Sequence, residues 1–131
     1  MKEIIIEQLD FSEQDKVFIE THGKDKMLIC IADILFFDCA GNYSTIYLKN
    51  GNEIIDRVLL KHWDLLLTKH GFLRIDNGIL VNGRYITVID LESKEKKCFL
   101  GEITLKFSRR RANLLKNSKI LLPHIPKNNR L

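Results

Sequence analysis

Short apolar runs, separated by polar turns rich in glycine and asparagine, set the pattern of this chain, and their spacing predicts mostly strands. Glu3–Glu7, Lys16–Thr21 and Met27–Cys30 are brief runs rich in Ile, Val and Phe, and Ile34–Phe37 is a stronger one. Ala40-Gly41-Asn42 signals a turn, after which Tyr43–Lys49 carries β-branched and aromatic residues with a period near two. Asn50-Gly51-Asn52 then leads into Glu53–Asp56. Asn-Gly between two such runs is a strong hairpin signal, because a type I′ turn needs positive φ at both central residues.

From about Val58 to Lys69 the period changes. Leu59, Trp63, Leu66 and Leu67 fall at helical spacing with Lys61, Asp64 and Thr68 opposite, which predicts an amphipathic helix stopped by Gly71. Strands are expected again over Phe72–Ile75, Tyr85–Glu92, Lys97–Leu100 and Ile103–Phe107, with Ser93–Lys96 as a polar turn. A further apolar run, Ile79–Val81, follows Asp76-Asn77-Gly78. Ser108 is a good N-cap for a short helix from Arg109 to about Leu115. Pro123 and Pro126 keep the tail from extending it.

At 131 residues the chain is expected to form one domain with short extensions, and its hydrophobic fraction of 45% supports a core without metals or disulfides. No apolar run approaches a membrane span, and acids stand too early for a signal peptide, so a cytoplasmic location is expected. Three cysteines without Cys-x-x-Cys spacing argue against a disulfide scaffold or zinc ribbon. Cys30 and Cys98 sit in apolar patterns and read as small core residues, whereas Cys39 borders a turn where a redox role is the minor alternative.

The net charge of +4 is mild, and its placement matters more than its size. Arg109, Arg110, Arg111, Lys116 and Lys119 crowd the C-terminal third, with Lys127 and Arg130 beyond, whereas the first twenty residues carry an acidic excess. Three cations at the start of a helix oppose its dipole, which calls for a reason outside local stability. Exposed N–H groups and three guanidinium forks suit an anion such as phosphate, and one fork suits the O6 and N7 edge of guanine. The plain alternative is a solvated basic turn.

Other readings stay open on the residues alone. Asp76-Asn77-Gly78 is simply a hairpin turn, and Gly41-Asn42-Tyr43 a plain Gly-Asn turn. Arg74, between apolar neighbours, either pairs with an acid inside the protein or projects its fork outward. Asn82 suits a structural role, bonding turn backbone beside Gly83. Enzyme chemistry finds no foothold. His22, His62, His70 and His124 are scattered and read as solvent-exposed, Asp33 and Asp38 as strand-boundary residues, and no phosphate loop or nucleophile elbow occurs. No metal site, cofactor or small-molecule substrate is expected.

Two segments together resemble the LytTR family of bacterial DNA-binding domains. Phe72, Arg74, Val81, Asn82 and Ile86 match its Phe-x-Arg-x-(His)-x-(Ser)-x-x-Val-Asn-x-x-x-Ile pattern, and Ser108-Arg109-Arg110 matches its Ser-Arg-Arg element after the last strand. The likeness extends over roughly residues 27–115. It implies a mainly β fold, an elongated stack of small antiparallel sheets with one packed helix and a short C-terminal helix, whose loops enter DNA. The chain then divides into N-terminal strands over 1–26, a DNA-binding domain over 27–118 and a tail over 119–131.

The resemblance implies a transcriptional regulator that binds double-stranded DNA through Asn42, Tyr43, Arg74, Asn77, Arg109, Arg110 and Arg111, with Ser44 a further phosphate donor. Asp76 stands where the family often has His, and Gly78 where it often has Ser. An acid near phosphate is unfavourable unless it accepts from a cytosine amino group or a neighbouring Arg. Paired direct-repeat sites, a homodimer on DNA and a membrane regulatory partner are also implied, and the chain has no room for a receiver domain. The rival reading is a small β-rich module whose basic face binds an acidic protein or RNA. Tyr43, Tyr47 and Tyr85 are not clustered as a base-stacking platform would need.

Overall fold

A bulge in one strand decides which apolar side chains the central sheet of this protein presents to each of its two faces. The computed structural model describes residues 15–20 and 26–118. Strand β3 (Ile34–Ala40) opens with the continuous apolar run Ile-Leu-Phe-Phe. Its register against β4 (Tyr43–Leu48) shifts between Ile34 and Phe36. Ile34 and Phe37 therefore join one core, and Leu35 and Phe36 the other. A strict period of two would have placed Leu35 and Phe37 together.

Around β3 the sheet runs β5-β4-β3-β7-β6, with β5 Glu53–Asp56, β6 Phe72–Asp76 and β7 Ile79–Asn82, and every pairing is antiparallel. On one face, Ile34, Phe37, Ile46, Leu48, Ile54, Phe72 and Leu80 pack against helix α1 (Leu60–Leu67) and the hairpin β1 (Lys16–Glu20) and β2 (Lys26–Cys30). On the other, Phe36, Ile75 and Val81 meet a three-stranded sheet, β8 (Val88–Asp90), β9 (Lys97–Leu100) and β10 (Ile103–Lys106), through Ile89, Cys98 and Leu100. Phe107 and Ala112, at the start of helix α2 (Arg109–Ser118), close that second core. Each fully buried Leu, Ile, Val or Phe contributes about 1.5–3 kcal/mol, so these two cores dominate the stability.

Several expectations need correction. The helix begins at Leu60, and its buried residues are Leu60, Trp63 and Leu67, while Leu59 and Leu66 are exposed. Five leucines within nine residues fit more than one helical phase, and the contact with the sheet selects among them. The run Tyr85–Glu92 is not one strand: Gly83–Tyr85 forms a 3-10 turn and only Val88–Asp90 pairs. Buried Asp90 explains the early end, since its carboxylate accepts from the N–H groups of Glu92 and Ser93, each at 3.0 Å, and turns the chain.

The Asn50-Gly51 hairpin forms with a longer turn than type I′, because Leu48 N–H bonds Asn52 O at 2.9 Å and Gly51 takes φ 92°. His70 is half-buried beside Asp15, whereas His62 is exposed. Cys98 is fully buried, as expected, but Cys30 is only partly so. The Glu3–Glu7 strand, His22, His124, Lys119, Lys127, Arg130 and the prolines of the tail lie outside the described residues.

Candidate nucleic-acid interface

Three segments far apart in sequence meet at one end of the central sheet. β3 and β4 are joined by a two-residue turn, Gly41-Asn42, closing on the Ala40–Tyr43 pair, with Gly41 at φ 66°. β7 pairs with the opposite edge of β3, so the β6–β7 turn, Asn77-Gly78, emerges beside it. Cys39 N–H donates to Gly78 O at 2.7 Å and ties the two turns together. A Cβ at Gly78 would stand 3.1 Å from Cys39 O, so close backbone approach, not positive φ, favours glycine there. Asn42, Tyr43 and Asn77 are all exposed on this end.

The arginine segment joins from the other core. Ser108 N–H donates to Ile75 O at 2.8 Å, which fixes the start of α2 against the end of β6. Ser108 Oγ accepts from Arg111 N–H at 3.1 Å, the N-cap read from the sequence. Buried Ala112 sets the phase of the helix, and this makes the three arginines unequal. Arg109 and Arg110 point to solvent, while Arg111 is half-buried, with an Nε that finds no hydrogen-bond partner among the described residues. The first turn of α2 carries no acid to offset them. Dipole and guanidinium charge thus favour an anion on the same side.

Arg74 takes the internal of its two readings. Its guanidinium lies 3.4 Å from Asp64 Oδ2 on α1 and donates to Asn77 O at 2.5 Å, with its side chain only 17% exposed. It therefore holds the Asn77 turn from behind. Asp76 Oδ2 accepts from Gly78 N–H at 3.1 Å and stiffens the same turn. Ser44, expected as a phosphate donor, is fully buried and turns its hydroxyl to Val58 O, because alternation along β4 sends it into the core.

Asp38 reads from the sequence as a strand-boundary residue, but it stands inside β3. It sits on β3 opposite Ile79, near Asp76, and burial, then the Asp76 carboxylate, raise its pKa above the usual range. No local motif marks it, since only the β3–β7 pairing brings these two acids together. Asn82 has the structural role expected: fully buried, it donates to Ile34 O at 2.9 Å and accepts from Arg84 N–H at 3.1 Å. Among the described residues no three metal-binding side chains cluster, and no helix is long and apolar enough to cross a membrane.

The exposed groups of this end, two amides, a phenol and two guanidiniums over fixed N–H groups, match the donor and acceptor chemistry of base edges and phosphates. A LytTr DNA-binding domain from Bacillus cereus has the same fold at a TM-score of 0.65 and 14% sequence identity, covering 77% of this chain and 93% of that one. No curated protein matches the sequence. The family profile of the LytTr DNA-binding domain matches residues 24–119, and the chain belongs to that family.

Proposed function

We propose that this protein binds double-stranded DNA in a sequence-dependent way and acts as a transcriptional regulator. The observation that carries the reading is the meeting of residues 41–43, 76–78 and 108–111 on one end of the sheet, tied by the Cys39–Gly78 and Ser108–Ile75 backbone bonds. In this reading Asn42 and Asn77 read adenine edges, Arg110 reads a guanine edge, and Tyr43 and Arg109 bond phosphate. Arg111 and Arg74 serve from behind, the first by charge and the second by holding the Asn77 turn. The proposal includes paired direct-repeat sites, with one protomer on each.

A selection from random duplex DNA tests this reading. It should enrich one motif, repeated at a fixed spacing, and the duplex should outcompete either of its single strands. Enrichment of no motif, or preference for single strands or RNA, would remove the proposal.

A further inference from the structure

The β8–β9 turn and the start of α2 enclose a groove of about 440 Å³. Lys94, Lys96, Lys106 and Arg109 line it with Asn113, against a single carboxylate, Glu95. The groove is built, not incidental. Asp90 pins residues 92 and 93, and Phe107 N–H donates to Lys96 O at 3.0 Å, docking the turn onto the strand that leads into Ser108. The Ser93 hydroxyl and N–H, then the Glu92 N–H, lower the Asp90 pKa, so this anchor is ionised at neutral pH.

The charge of the groove is poorly answered from within. Lys106 Nζ lies 3.5 Å from Glu95 Oε1, but both side chains are more than half exposed, and such a pair contributes little. Lys96 Nζ donates to Ser93 O at 2.5 Å. Lys94 and Arg109 have no ion-pair partner among the described residues. Four cations sharing one groove beside the positive end of a helix repel one another, and a polyanion relieves that repulsion. Arg109 lines this groove and follows Ser108, whose N–H bonds Ile75 O near the end of β6, so the groove adjoins the proposed face.

We infer that the groove holds the phosphate backbone of the same duplex, outside the bases that the loops approach. The inference rests on the DNA-binding reading and adds Lys94, Lys96 and Lys106 to it, residues that no sequence motif marks. It fits backbone better than bases because flexible lysine ammoniums act as point charges, whereas Arg110 has the planar fork.

Lys94→Gln/Lys106→Gln in the full chain tests it, with folding verified by circular dichroism. Binding is measured by anisotropy over a range of salt, on the selected duplex and on the same duplex lengthened by flanking base pairs. Wild type should bind the longer duplex more tightly, and the double variant should lose that gain. Its log–log salt slope should shrink by about 1–2, near 0.9 per lost phosphate contact, equally on selected and random sequence. Unchanged slope and length preference in a variant that still binds would overturn this inference alone. Failure of wild type to bind any duplex would remove the DNA-binding reading as well.

Discussion

Trp63 offers the sharpest separation between what holds the fold and what meets DNA. It is 4% exposed, its ring centroid lies 5.3 Å from that of Phe37, and its indole N–H donates to Asp56 Oδ2 at 2.5 Å. Asp56 is itself fully buried. Trp63→Phe keeps most of the ring packing but takes a donor from a buried carboxylate, a loss of about 1.5–3 kcal/mol. Trp63→Ala also opens a cavity under the central sheet and should cost about 3–5 kcal/mol.

Urea unfolding followed by circular dichroism measures both, since Trp63 is the one tryptophan and cannot report on its own removal. In a double-mutant cycle with Asp56→Asn, the coupling should be about 1 kcal/mol or more. Duplex affinity per folded molecule should not change. A Trp63→Phe loss below about 0.5 kcal/mol would show that the bond is not a structural tie. A well-folded Trp63→Ala protein with weakened DNA binding would move Trp63 from the core to the interface.

Arg110→Ala should cost about 1–3 kcal/mol of specific binding and leave urea stability within about 0.5 kcal/mol, and a collapse of stability would make Arg110 structural. Gly78→Ala pushes a methyl against Cys39 O and should destabilise by about 1–3 kcal/mol while weakening duplex binding, as the two turns separate; full affinity would show that their contact is not needed. If the Asn77 turn meets DNA as proposed, Asp76→Asn removes a like charge within about one Debye length, ~8 Å, of the phosphates and should tighten non-specific binding more than specific binding. On the proposed reading, phosphate at this face pushes the already raised Asp38 pKa further up, so the bound state holds more protons than the free one. Affinity should therefore rise as pH falls from neutrality toward the Asp38 range, and Asp38→Asn should flatten the dependence.

Strand-rich architecture was legible because turn chemistry is local. Gly41, Gly51 and Gly71 each stand in the left-handed region at the turns and helix stop where the sequence placed them. The Ser108 cap was equally local. What escaped was decided by long-range contact. The phase of α1 depends on which leucines the sheet accepts, and the break in the Tyr85–Glu92 run depends on the turn that buried Asp90 builds. The bulge at Leu35 arises from pairing with β4.

The same division holds at the interface. Asn42, Tyr43 and Asn77 were visible as turn residues and as matches to a family pattern, and they are exposed. Arg74 and Ser44 were ambiguous or misread because burial depends on partners, Asp64 in one case and the Val58 carbonyl in the other. The acid pair Asp38–Asp76 and the lysine groove exist only once β3 meets β7 and the β8–β9 turn meets Phe107.

The central claim is that residues 41–43, 76–78 and 108–111 form one face against duplex DNA. Amide NMR of the labelled protein, titrated with the selected duplex, measures it most directly. The largest shifts should group at those three segments, with smaller ones over residues 94–96 and none over α1. Shifts concentrated on α1 or on the β1–β2 hairpin, with the three segments silent, would contradict the account.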